Sequence, residues 1–197
     1  SLCMTTITQV STCLWENTNI FTSGMARLRR EHKMNEQAFD YTDSDESGFI
    51  QYDISGEAYK QLMNTCFTYC DSISFFKRSA HVVIPTELLM FQSSLSDEVK
   101  EQYLMYKHQN ICIYNIILTP ESQKIILTLA NSIFSWIDGW GFHNVEDPVF
   151  YRNDKSIFLR ANVHNGICTL FPRENEDVSM ILKNPHWKKR NTMVSCR

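Results

Sequence analysis

Glycine and proline are scarce, with six and five in 197 residues, which excludes a collagen-like or linker character. Long apolar runs are missing too. Stretches such as Ile125–Leu127 fall far short of the ~20 residues that span a bilayer, so no membrane association is expected. Nor does charge of one sign dominate: 19 Lys and Arg face 22 Asp and Glu, a net charge of -3. The pI near 6.1 lies well below the value above ~9 usual for nucleic-acid-binding domains, so a nucleic-acid partner is not expected.

A disulfide framework is also absent. The seven cysteines are an odd number, scattered over positions 3, 13, 66, 70, 112, 168 and 196 without a Cys-x-x-Cys pair. No Asn-x-Ser/Thr acceptor occurs, and Ser1-Leu2-Cys3-Met4 does not begin a basic-then-apolar leader. A cytoplasmic protein with reduced thiols is the expectation. Gly-x-Ser-x-Gly, His-Glu-x-x-His, the Walker A loop and the dinucleotide glycine fingerprint are missing as well, which removes the common enzyme signatures.

What is present suits a folded core: 43% apolar and 12% aromatic residues in a chain long enough for one domain. Basic residues at 27, 29, 30 and 33 precede acidic ones at 40, 43, 45, 46, 53 and 57, in a stretch without sustained period. Residues 1–50 therefore read as an N-terminal appendage packed on the body. Residues 51–185 read as a single α+β domain, and 186–197, with Lys188, Lys189, Arg190 and Arg197, as a basic tail.

Three helices are predicted. The first follows Ser55 and aligns Tyr59, Leu62, Met63, Cys66, Phe67 and Cys70 on one stripe; the second starts near Ser96. The third spans 121–138, capped by Thr119 with Pro120 at its first position. Its stripe of Ile125, Ile126, Leu129, Ile133, Phe134 and Ile137 marks it as the central helix. Strands are predicted at 73–76, 81–84, 112–118, 149–152, 156–163 and 167–171, the last three forming a meander. Helices and strands do not alternate, so the class is α+β, an antiparallel sheet packed against about three helices.

Asn165-Gly166 is a strong two-residue hairpin signal. It predicts Val163 opposite Cys168 and Ala161 opposite Leu170, with Leu159, Ala161, Val163, Cys168 and Leu170 facing inward. Phe158, Arg160, Asn162 and His164 then face outward, and with Trp140 they form the expected partner-binding surface, covered either by another protein or by the chain's own acidic run from Asp40 to Asp53, which would meet Arg160.

Other candidates are weaker. Asp43, Asp45 and Ser47 with Gly48 match the first half of a calcium loop, but Ile54 stands where the bidentate glutamate belongs. Cys66 and Cys70 share a helix face, yet they lie on an apolar stripe and read as core. His143 with Glu146 or Asp147, in an aromatic-rich loop, forms a candidate acid–base or metal-binding grouping. No cofactor is expected. The leading expectation is a non-enzymatic protein that binds another protein or itself, of a regulatory or immunity type. The alternative is a small hydrolase using the 143–147 loop.

Overall fold

The computed structural model describes residues 37–42, 52–77, 84–106, 109, 111–136 and 145–190. All lie in one compact unit, residues 35–197. Seven strands form one antiparallel sheet: β1 Phe39–Thr42, β2 Ser72–Lys77, β3 Cys112–Ile117, β4 Glu146–Tyr151, β5 Ile157–Asn162, β6 Ile167–Leu170 and β7 Trp187–Lys189. Their spatial order is β3-β2-β4-β5-β6-β1-β7. The expected meander is present as β4-β5-β6, and the class is α+β. Five helices accompany the sheet: α1 Gly56–Tyr69, α2 Thr86–Leu89, α3 Asp97–Gln102, α4 Pro120–Leu129 and α5 Ser179–Leu182.

The boundaries expected at residues 50 and 186 do not separate the sheet. β1 lies between β6 and β7, with Tyr41 opposite both Cys168 and Trp187. Tyr41 is 1% exposed, so this segment belongs to the core. The expected strand at 81–84 lies mostly outside the described residues.

α1 is the main core helix. It buries Tyr59, Leu62, Met63 and Cys66 against Ile73, Phe75, Phe150, Leu159 and Cys168 of the sheet, about 1.5–3 kcal/mol for each large apolar side chain. Gly56 starts it at φ +58, a left-handed conformation that glycine adopts without strain. Cys66 and Cys70 are buried, as the apolar stripe requires.

The predicted central helix is shorter than expected and is not central. α4 begins as read, with a reciprocal capping box between Thr119 and Ser122 and Pro120 in the first turn. It ends at Leu129, with only Ser122 and Ile126 buried. The apolar period runs on to residue 137, but the backbone at 131–133 bonds elsewhere. The Asn131 carbonyl accepts from Gly56 N at 3.3 Å, and Ile133 N donates to Ile54 O at 3.0 Å. Tertiary pairing with the start of α1 overrides the local preference.

The β5–β6 hairpin departs from its predicted register by two residues. Ala161 faces Cys168 and Leu159 faces Leu170, so the connection is a four-residue turn. Val163–Asn165 form a 3₁₀ turn and Gly166 takes φ +58. Asp147 Oδ1 accepts from Val163 N at 2.8 Å and Asn162 Oδ1 accepts from Asn165 N at 3.2 Å. With that N–H captured, Val163 cannot extend the ladder. A two-residue slip preserves the faces, and Leu159, Ala161, Val163, Cys168 and Leu170 are all buried.

Phe158 is a further correction: it is 0% exposed, not outward. Phe150 pairs with Leu159 while Tyr151 pairs with Ile157, which leaves Phe158 as the extra residue of a β-bulge. The bulge breaks the alternation and turns Phe158 toward the helices. There its ring meets Tyr69 at 5.6 Å and lies 5.2 Å from the Arg152 guanidinium.

Candidate functional site

The sheet's two faces are covered differently. α1 and its neighbours line one face. On the other face, Val99, Tyr103 and Tyr106, from α3 and a 3₁₀ turn at Leu104–Tyr106, cover Phe76, Val149 and Tyr151 of β2 and β4. Beneath them lies a buried hydroxyl network. Ser74 Oγ is 2.8 Å from the Tyr103 hydroxyl and donates to the Tyr151 hydroxyl at 3.1 Å, and Tyr103 donates to the Asp147 carbonyl at 3.1 Å. Burial pushes the Tyr103 and Tyr151 phenols well above their usual range. Ser74, Tyr103 and Tyr151 are almost fully buried, so the network serves packing between the sheet and α3.

The remaining half of that face, over β5, β6, β1 and β7, presents polar side chains. Cross-strand register sets one row, Lys188–Asp40–Thr169–Arg160, and a second, Thr42–Ile167–Asn162. Arg160, Ile167, Thr42, Lys188 and Arg190 are exposed. The Asp40 carboxylate is held by Arg190 through Nε at 2.7 Å and through a second donor, Nη2, and by the Thr169 hydroxyl at 2.8 Å. Burial works against its charge, but these bonds and the charges of Arg190 and Arg160 hold its carboxyl below the usual range. Thr169, 2% exposed, carries this pair as its lid.

Arginine pairing singles out one residue. Of the four described arginines, Arg152 pairs with Glu176, Arg173 with Asp154 and Arg190 with Asp40. Arg160 has no carboxylate or hydrogen-bond partner among the described residues. Its charge reaches Asp40 and Tyr151 only through space.

Of the grouping expected at 143–147, only Glu146 and Asp147 lie among the described residues. Trp140 and His143 lie outside the described residues, as do Asp43, Asp45 and Ser47. Glu146 opens β4 and its Oε2 is 2.8 Å from His164 Nε2, which unites one residue from each of the two proposed sites. Asp147, 5% exposed, has both oxygens engaged: Oδ1 with Val163 N, and Oδ2 with the Tyr106 hydroxyl at 2.6 Å. It therefore serves the fold and is not free to act as a general base. Among the described residues, no group of three or more His, Cys, Asp or Glu is arranged to hold a metal.

A cavity of about 470 Å³ lies elsewhere, lined by Tyr69, Arg152, Asn153, Asp154, Arg173 and Glu176. Arg152 spends all five donors internally: on both Glu176 oxygens, on Ser156 Oγ and on the Ile157 and Phe171 carbonyls. A saturated guanidinium has nothing left for a ligand. Cys168 is no nucleophile either, because burial, with Asp40 and Asp53 nearby, pushes its thiol far up.

Sequence reasoning missed the Arg152–Glu176 and Arg190–Asp40 pairs, whose partners are far apart along the chain. It found Arg160 on the outward side, because alternation holds on β5 beyond the bulge; His164 is exposed on the 3₁₀ turn that follows. No helix among the described residues is long and apolar enough to cross a membrane. No protein-family model, curated protein or solved structure matches this chain.

Proposed function

We propose that this protein is a non-enzymatic binding module that docks another protein on the open half of its sheet, over β5, β6, β1 and β7. The observation that carries this reading is Arg160: an exposed guanidinium without a carboxylate or hydrogen-bond partner among the described residues, in the middle of a sheet face whose other half is covered by its own chain. Arginine is among the residues that anchor interfaces, where it fits planar acceptors in two-point contact. Asn162 and His164 flank it on the same strand and its turn. A regulatory or immunity-type role in the cytoplasm fits the buried free thiols of Cys66, Cys70 and Cys168.

The test is a hydrogen-exchange footprint of the complex formed with a partner captured from the source cell. Slowed exchange is expected at 39–42, 157–164, 167–170 and 187–190. Slowing confined to α1 and α4, on the opposite side, would refute the reading.

A further inference from the structure

We infer that the partner presents an acidic, carboxylate-bearing segment, and that Arg160 and Lys188 are its two contact points; this rests on the docking reading above. The face already contains one worked example of how it holds a carboxylate. Asp40 sits in a fork of Arg190 with a hydroxyl bond from Thr169, a geometry of charge-assisted bonds that favours planar anions. Arg160 lies two strands along the same row and has no such occupant among the described residues. Lys188 stands on the other side of Asp40, exposed and without a partner among the described residues.

Charge sets the class of partner. The register rows carry Arg160 and Lys188 against Asp40, which Arg190, just beyond β7, already pairs with, while the whole chain is acidic at -3. The face is thus a local reversal of sign, which steers acidic groups toward it. A nucleic acid fits poorly. Asp40 interrupts the row where a continuous phosphate backbone would need positive charge, and the two rows offer no aromatic ring for a base to stack on.

Geometry sets the spacing. Arg160 and Lys188 lie three strands apart, about 14 Å at the usual strand spacing. An extended segment with acids at alternate positions places every second one about 14 Å apart as well. Such a segment crosses the strands and reaches both cations.

The experiment uses fluorescence anisotropy with a labelled Glu-Ser repeat peptide on the full chain. Saturable binding that weakens with salt is expected, lost with a Gln-Ser repeat. Arg160→Glu is expected to weaken it by about tenfold or more and Lys188→Gln by less, while Lys60→Gln, on α1, leaves it unchanged. No binding, equal binding by Arg160→Glu, or tighter binding of a single-stranded oligothymidylate would overturn the inference. A footprint on the open half without peptide binding would remove the acidic class and leave the docking reading intact. A footprint elsewhere would remove both.

Discussion

Replacing Asp147 separates a structural carboxylate from a catalytic one. Its side chain satisfies two buried donors, Val163 N and the Tyr106 hydroxyl, and its backbone takes φ +51. Asp147→Ala removes the acceptor from both donors, at about 1.5–3 kcal/mol each for bonds to a charged acceptor. It also places alanine in the left-handed region, which costs about 1 kcal/mol more than a residue with a short polar side chain there. The total is about 4–7 kcal/mol, a large share of the ~5–15 kcal/mol that holds a domain together. Asp147→Asn keeps an oxygen for Val163 N and tolerates the backbone, and the Tyr106 hydroxyl can turn to accept instead of donate. Its expected cost is about 1 kcal/mol. Urea unfolding followed by tryptophan fluorescence measures both, with an unchanged slope as the check that the same surface is exposed. An alanine variant within about 0.5 kcal/mol of the parent would refute the structural role.

Two further outcomes follow from the same bonds. Glu176 is 6% exposed at its side chain and bonded by Arg152. Burial opposes its charge, but Arg152, Arg173 N and both arginine charges hold its carboxyl below the usual range. Its contribution is therefore present above an unfolded value near ~4.3 and lost as pH falls through the lower folded value. Glu176→Gln is expected to cost about 3–5 kcal/mol at neutral pH and to flatten the acid loss of stability; an identical acid loss in both proteins would contradict this. Burial likewise raises the thiols of Cys66, Cys70 and Cys168, so peptide-mapped alkylation of the native protein at pH 8 should reach them only through unfolding. Labelling of Cys168 at the rate of a free thiol would count against the fold.

Much of the fold is legible in local signals. The stripe on α1, the capping box at Thr119 and the run at Ser72–Lys77 each state their element directly. What failed did so because distant parts of the chain intervened. α4 stops at Leu129 because residues 54–56 take the backbone bonds of 131–133. The hairpin slips because Asp147 takes Val163 N, and Phe158 turns inward at a bulge that β4 imposes. β1 and β7 are four and three residues long, too short for a period-2 pattern to stand out from charged surroundings. Of the site, Arg160 was readable from alternation alone. That it lacks a partner among the described residues was not, because the acids that engage the other arginines come from other strands and loops.

The central claim is that Arg160 is held ready for another protein and not for this one. Its most direct test is the Arg160→Glu variant, with its melting temperature and its capture of the partner from source-cell lysate measured on one preparation. An exposed residue with no hydrogen bond or ion pair among the described residues is expected to cost less than about 0.5 kcal/mol when changed, a shift within about 2 °C. The account predicts unchanged melting with capture lost. A clear fall in melting temperature with capture undiminished would contradict it.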